Sequence, residues 1–498
     1  MNTIDMGIGG LASGLDIDDM VDQLMEAERI PLKRLEQDRT ELTWKQDAFR
    51  DINRSLLELD QKMTDMKLSH TYQTKNVSSS QESAVTASGS TSANNGTYHI
   101  EVERLATAAM NKGEVGVDLT EEIDIEDLEN ELNFYTFNDD GEKQSHSVDI
   151  EDGDTYKDIL NKINESNAPV RAFFHGDEKS AQVVIETTRT GQYNTENEES
   201  GAEIVFDKES PFFKHLGLDP EQEAGGQDAQ FTYNDGLTIT SKKNEYEING
   251  INFEFHNETD GSAAITINND VDHAFEQIMD FVDTYNDVVE KLNETQQERK
   301  HRDYPPLTDE QKEEMTEKEI ELWEGKAKSG ILRGENVITN GLSQMRRSWY
   351  EKVDNDGSFS SITEIGITTS PDYLDGGKLI VDEDKLKTAL RENPEDVQKL
   401  MSNATDDDSQ GLINRLDHAV GTTMDKIDRH AGKATSTLDN YTLGRRMKDL
   451  DQRIESFEER LVKTEKRYWN QFTEMEKAIQ RMNEQSSQLL SQFGGEMM

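Results

Sequence analysis

The sequence contains no cysteine, and its uninterrupted apolar stretches are short. Without cysteine the chain has neither a disulfide framework nor a thiolate nucleophile or metal ligand. None of the apolar runs approaches the ~18 residues that a membrane-spanning helix needs. The N-terminus also lacks the basic segment and hydrophobic core of a cleavable secretory signal. We therefore expect a protein without a membrane span, and any export by a route that reads no cleavable signal.

Basic residues are scarce. The chain contains 53 Lys and Arg residues and 103 Asp and Glu residues, which gives a formal net charge of −50. So acidic a surface lacks the cations that neutralise phosphates, which excludes nucleic acid and anionic membranes as primary partners. Most of the excess charge lies between residues 71 and 430. Two explanations remain open: the ends pack among other subunits while the middle faces solvent, or the exposed surface is adapted to a salty or alkaline habitat.

Motifs for catalysis and metal binding are also missing. The sequence has no HExxH pair and no GxSxG nucleophile motif. The stretch Lys352–Glu364 resembles a calcium loop, but Lys352 and Thr363 occupy two positions that need carboxylates. The glycine-rich start, from Gly7 to Gly14, is preceded by only six residues, too few for the strand of a phosphate-binding loop. We predict no enzyme, no metal site and no cofactor.

Helical periodicity is present at the N-terminal end. Asp16 is a candidate N-cap, and Ile17, Met20, Val21, Leu24 and Met25 recur on one helical face. Pro31 is expected to end this helix and begin another, because proline lacks a backbone N–H but suits a first helical position. The second helix carries a heptad seam with companion positions later in the run. Its residues are Leu35, Leu42, Phe49, Leu56 and Met63, with Ile52, Leu59 and Met66.

A second seam lies at the C-terminal end. Its apolar residues follow three-four and then seven-residue spacing, which is typical of a coiled coil. They are Met447, Leu450, Ile454, Phe457, Leu461, Tyr468, Met475, Met482 and Leu489, with Phe472 and Ile479 alongside. We predict that residues 35–63 of the first seam pack against residues 447–468 of the second, within and between subunits. The termini would then lie together and the rest of the chain would be an insertion.

Between the seams the pattern changes to strands. Alternating polar and apolar residues predict strands at 96–108, 244–256 and 262–270, and Asn249-Gly250 is predicted to be a hairpin turn. The polar residues 78–96 indicate a connecting segment at a domain boundary. Helices are expected at 154–166 and 270–294, and Trp323 and Trp349 are predicted core or interface anchors. The fold class is α+β multidomain, with a terminal coiled-coil leg (1–70 and 431–498), a mainly helical middle domain (71–105 and 271–430) and an inserted β-rich acidic head of two subdomains (106–270).

Several ordered blocks resemble one family. They are GIGGLASGLDIDDMVDQLMEAERIPL at residues 7–32, GTYHIEVERLATAA at 96–109, DFVDTYNDVVEKLNE at 280–294, the segment 361–403 with its IGIT and GKL elements, and residues 438–483. Together they resemble the flagellar filament cap proteins (FliD, or hook-associated protein 2). The insert at 304–330 looks like the version in Bacillus-type members, whereas the acidic region around 110–245 matches weakly.

The resemblance implies a homo-oligomeric ring of five or six copies at the distal end of the flagellum. Such a ring promotes the folding and insertion of exported flagellin and prevents its loss. The implied partners are flagellin, the hook–filament junction protein, an export chaperone that holds the C-terminal helices, and the type III export apparatus. The implied location is outside the cell at the filament tip, reached with an uncleaved N-terminal signal.

Two other readings stay open at this point. Flagellin and hook–filament junction subunits share the plan of paired terminal helices, although their terminal sequence blocks differ from those quoted. A surface adhesin whose acidic head binds glycans is the alternative from a different functional class.

Overall fold

The computed structural model describes residues 16–122, 131–195 and 201–493. The glycine-rich start, from Gly7 to Gly14, lies outside the described residues. The chain divides into two compact units. The helical unit contains the residues up to Tyr72 and those from Phe275 onward, and the β-rich unit contains Gln73–Ala274.

The described helices and strands, in chain order, are α1 (Ile17–Met66), α2 (His70–Gln73), β1 (Lys75–Ser79), β2 (Val85–Gly89), β3 (Gly96–Arg104), β4 (Ala108–Val117), β5 (Glu131–Phe137), β6 (Lys143–Asp149), α3 (Tyr156–Glu165), β7 (Val170–His175), β8 (Ala181–Thr190), β9 (Val205–Phe206), α4 (Pro211–Leu216), β10 (Ala229–Tyr233), β11 (Leu237–Ser241), β12 (Glu245–Ile248), β13 (Ile251–Phe255), β14 (Ala263–Asn269), α5 (Val271–Gln297), α6 (Asp309–Glu313), α7 (Glu317–Lys328), α8 (Asn336–Arg347), β15 (Ile367–Thr369), β16 (Leu379–Val381), α9 (Glu383–Glu392), α10 (Pro394–Ser402), α11 (Leu412–Ala431) and α12 (Thr442–Phe493).

Helix α1 begins as predicted but does not break at Pro31. The Asp16 carboxylate accepts the backbone N–H of Asp19 at 3.2 Å, which confirms the N-cap. The helix then continues through Pro31 to Met66 as one element, so the prediction of two helices is wrong. An internal proline costs about 3 kcal/mol. Tertiary packing on both sides of Pro31 offsets this cost, because residues from Ile17 to Leu32 share an apolar cluster with α12 and the later part of α1 is also buried.

The core of the helical unit includes α5 and the end of α8. The helix predicted at 270–294 is confirmed as α5, and the residues buried on one of its faces are Ala274, Ile278, Phe281, Tyr285, Val288 and Leu292. Trp349 is only 3% exposed, and its ring lies 6.1 Å from that of Phe281 and 5.4 Å from that of Tyr285. Trp349 is therefore a core anchor, as predicted. Trp323 is half-buried; its indole N–H donates to the Pro305 carbonyl at 2.8 Å.

The described residues of the β-rich unit form four antiparallel sheets. A five-stranded sheet (order β1-β14-β3-β10-β11) and a three-stranded sheet (order β12-β13-β2) share one apolar cluster. Two further three-stranded sheets (β4-β8-β7 and β6-β5-β9) share a second cluster with α3 and α4. The Asn249-Gly250 turn between β12 and β13 is confirmed, since both residues have positive φ, 54° and 75°.

Two predictions for residues 71–105 are corrected by the structure. The sequence predicts a mainly helical domain for these residues, but they contain β1, β2 and β3 and lie largely within the β-rich unit. The polar composition of residues 78–96 predicts a connection, but this stretch contains β2, which pairs with β13 through Val85↔Phe255 to Gly89↔Ile251. Burial of Val85 against the cluster, with pairing along β13, outweighs the weak strand propensity of Ser and Gly.

The residues around the second cluster form an inner subdomain, which we define as residues 110–224. The chain enters and leaves it side by side, because Met110 and Ala224 exchange both of their backbone hydrogen bonds, at 2.8 and 2.9 Å. The β-rich unit as a whole also has adjacent ends. Lys75 pairs with Asn269, and the Asp270 N–H donates to the Thr74 carbonyl at 2.7 Å.

Two carboxylates, the buried Glu203 and the half-buried Glu223, hold backbone N–H groups next to the inner subdomain's β9. The Glu203 carboxylate accepts the N–H groups of Tyr193 and Asn194 at 2.6 and 2.8 Å. The Glu223 carboxylate accepts those of Glu203 and Ile204 at 2.6 and 3.0 Å. Burial raises the pKa of Glu223 to about 7 despite these hydrogen bonds. The pKa of Glu203 is raised by the same cause.

Candidate assembly surface

Helices α1 and α12 pair antiparallel in the helical unit. The Arg39 guanidinium contacts the Asp451 carboxylate at 2.7 Å, and the Tyr468 hydroxyl donates to the Glu28 carboxylate at 3.0 Å. An apolar cluster fills the end of this pair. It contains Ile17, Val21, Met25 and Leu461, with Leu32, Phe457, Tyr468, Trp469 and Phe472 packed against it. The structure thus brings the two ends of the sequence together.

The second half of α1 has a different partner from the one that the heptads predict. Phe49, Ile52, Leu56, Leu59 and Met63 are all buried, but the contacts beside them go to α11. Asn53 donates to the Asp428 carboxylate at 3.1 Å, and Lys67 contacts the Asp417 carboxylate at 2.9 Å. The Phe49 ring lies 5.1 Å from the ring of His430. Within one chain, α1 therefore packs on α12 with its first half and on α11 with its second.

Gln46 lies where α1 passes from one partner helix to the other. Its side-chain amide is buried and donates to the Ala431 carbonyl at 2.8 Å and to the Tyr441 hydroxyl at 2.7 Å. Arg50, one turn later, donates to the carbonyls of Gly432 and Lys433, both at 3.1 Å. These bonds fix the connection between α11 and α12 against α1.

Gln46→Ala is expected to destabilise the helical unit by about 1–3 kcal/mol, because it leaves a buried carbonyl and a buried hydroxyl without their donor. All four tryptophans, Trp44, Trp323, Trp349 and Trp469, lie in the helical unit, so the urea midpoint of tryptophan fluorescence measures the change. Gln61, exposed on the same helix, is the matched control. Equal midpoints for Gln46→Ala and Gln61→Ala would contradict the structural role of Gln46.

The predicted seam residues fall into three groups by burial. Phe49, Ile52, Leu56, Leu59, Met63, Met447, Leu450 and Leu461 are buried. Leu35, Leu42, Ile454, Phe457, Tyr468, Phe472 and Met475 are half-buried. Leu24 is 40% exposed, because the side of α1 that faces α12 is centred on Ile17, Val21 and Met25.

The sequence interpretation missed α11. This helix buries Leu412, Ile413, Leu416, Ala419, Val420, Thr423 and Ile427. Their three-four spacing is an amphipathic pattern that could have revealed the helix as a partner for α1.

Residues 480–490 of α12 are exposed in a single chain. Met482, Leu489 and Leu490 are 63%, 54% and 71% exposed. Met482 and Leu489, at the end of the predicted seam, therefore lie in solvent in a single chain.

Within 16–122, 131–195 and 201–493, no group of three or more His, Asp or Glu side chains could hold a metal ion. Over the same residues, no helix is both long enough and apolar enough to cross a membrane.

Comparison with known proteins identifies the family. Residues 13–109 match the family described as flagellar hook-associated protein 2 N-terminus, and residues 226–484 match the corresponding C-terminus. The flagellar hook-associated protein 2 of Halalkalibacterium halodurans is 34% identical, over 98% of this chain and 100% of the relative. The chain belongs to the flagellar hook-associated protein 2 family. Residues 110–225 lie outside both family matches.

Other members of the hook-associated protein 2 family support the assignment. The A-type protein of Pseudomonas aeruginosa is 26% identical over 97% of this chain and 96% of the relative. The D1-D2-D3 domains of the flagellar cap protein FliD from Escherichia coli share the fold, with a TM-score of 0.56 at 19% identity over 77% of this chain and 96% of that chain. The family consists of structural flagellar cap proteins, and nothing among these comparisons favours flagellin, a junction subunit or an adhesin.

Proposed function

We propose that this chain is a subunit of a homo-oligomeric ring that caps the distal end of the bacterial flagellar filament. The observation that carries the proposal is the full-length relationship to hook-associated protein 2, at 34% identity over 98% of the chain. The mechanism is mechanical: the ring covers the growing tip, promotes the folding and insertion of flagellin, and prevents its loss. No catalytic step or cofactor is part of the proposal.

The proposed roles differ between the two ends of the chain and its middle. Residues 1–70 and 431–498 form the leg, and the half-buried and exposed apolar residues along α12 are surfaces for neighbouring subunits. The β-rich unit, Gln73–Ala274, forms the head. The ring contains five or six copies, next to flagellin and, before filament growth, the hook–filament junction protein. The chain leaves the cell through the type III export apparatus, delivered by a chaperone and without a cleavable signal.

Immunogold electron microscopy on intact cells tests this proposal. The antibody is raised against the full chain and depleted of reactivity on a strain that lacks the gene. Gold confined to filament tips is the expected result, and the deletion strain is expected to release unpolymerised flagellin into the medium. Label along the filament or at its base would instead assign the chain to flagellin or to a junction subunit. Label on the cell body would favour the adhesin.

A further inference from the structure

Two adjoining grooves run along one side of the α1–α12 pair. The first has a volume of about 700 Å³ and includes Leu42 and Leu450, and the second has a volume of about 520 Å³ and includes Leu35 and Phe457. Arg453 lines both grooves. We call this continuous surface the arginine groove, because five arginines line it: Arg34, Arg445, Arg446, Arg453 and Arg460.

The charge of the arginine groove is opposite to that of the whole chain. Its lining carries Lys45 besides the arginines, against the three carboxylates of Asp38, Glu41 and Asp449, whereas the chain has a formal net charge of −50. The Arg460 guanidinium lies over the Phe457 ring at 4.0 Å, and Arg453 is 3.9 Å from Asp449. An apolar floor with basic walls fits an amphipathic helix that carries carboxylates beside its apolar stripe.

Such a helix is present at the start of α1. Residues 17–30 expose Asp18, Asp19, Asp22 and Glu26. The same segment exposes two large apolar side chains, Leu24 at 40% and Ile30 at 50%. Its fourteen residues span about 21 Å, and the α1 wall of the groove, from Pro31 to Lys45, spans about 22 Å. Charge and length therefore match between the segment and the groove.

The segment cannot reach the groove of its own chain. Residues 17–30 and 31–45 are consecutive parts of one continuous helix, and a helix does not fold back on itself. We propose that the arginine groove binds the acidic first part of α1 from a second copy of this chain. This contact rests on the proposed homo-oligomeric function, and it explains why Leu24 on the acidic segment and Leu35 and Leu42 in the groove are left partly uncovered in a single chain.

Charge reversal in the full-length protein tests the contact by sedimentation velocity at low and moderate salt. Arg446→Glu with Arg453→Glu is expected to raise the dissociation constant for self-association at least about tenfold, because two interfacial attractions become repulsions. Arg302→Glu with Lys318→Glu changes the net charge equally, at exposed positions of the helical unit outside both the groove and α12. This control is expected to associate like the wild type.

The complementary variant distinguishes docking from misfolding. Asp19→Arg with Glu26→Arg is expected to weaken association alone and to restore it when combined with Arg446→Glu and Arg453→Glu, since the charges are then exchanged between the surfaces. A misfolded variant would not be rescued in this way. Equal effects of groove and control variants, no rescue, or a wild type that stays monomeric would each overturn the groove contact. A wild type that labels filament tips would leave the cap function standing in all three cases.

Discussion

Replacing Leu56 with aspartate is expected to unfold the helical unit while the β-rich unit stays folded. Leu56 is completely buried in α1. The loss of a buried leucine side chain alone costs about 2–5 kcal/mol, and the substitution also places a carboxylate at a fully buried position. The total approaches the 5–15 kcal/mol that stabilises an ordinary domain. Tryptophan fluorescence reports the helical unit, and scanning calorimetry shows whether a second transition, from the β-rich unit, remains.

The next residue provides the matched control. Leu57 is 44% exposed on the same helix, so Leu57→Asp introduces the same charge into solvent and is expected to change the free energy of unfolding by no more than about 0.5 kcal/mol. Similar losses in both variants would show that the helix face assigned here as buried is not buried in solution.

Raising the pH from 5 to 8 is expected to destabilise the β-rich unit through Glu223. The carboxyl has an ordinary pKa of 4.5, and burial raises its pKa to about 7 in the folded state. Between these values the folded protein holds a proton that the unfolded chain has lost, so the free energy of unfolding falls as pH rises. The loss is complete above about pH 7 and amounts to about 3 kcal/mol. Burial also raises the pKa of Glu203.

The comparison with Glu223→Gln isolates this contribution from the other carboxylates of the chain. Glutamine resembles the protonated acid, so the stability advantage of the wild type over this variant is expected to decrease between pH 5 and pH 8. Hydrogen exchange of the strands β4 and β8 measures the stability of the unit. Glu221→Gln, an exposed neighbour paired with Lys208, should follow the wild type. A constant difference between wild type and Glu223→Gln across this range would refute the raised pKa.

Periodicity predicted the two terminal helices because each buries one stripe over many turns. The Asn249-Gly250 turn was equally predictable from the sequence, since few residues other than Asn and Gly adopt positive φ readily. The sequence did not predict which helix covers each apolar stripe. Phe49 and Met63 continue the heptads of Leu35 and Leu42, and nothing in that spacing says that α11 rather than α12 covers them.

Other features depend on tertiary contacts that no local pattern encodes. Pro31 is a helix breaker by its own chemistry, and only packing along α1 and α12 keeps it inside one helix. Strand β2 reads as a polar linker, and only its pairing with β13 and the burial of Val85 make it a strand. The arginine groove likewise combines residues more than 400 positions apart in the chain, Arg34 and Arg460 among them.

The adjacent ends of the inner subdomain have an evolutionary consequence. Met110 and Ala224 close it with a pair of backbone hydrogen bonds, and nearly the same boundaries enclose the residues that neither family match covers, 110–225. An insert anchored in this way can be lengthened, shortened or replaced without moving the strands on either side, because closing a loop twice as long costs only about 0.6 kcal/mol more. The subdomain can therefore diverge as a cassette, under selection different from that on the terminal helices.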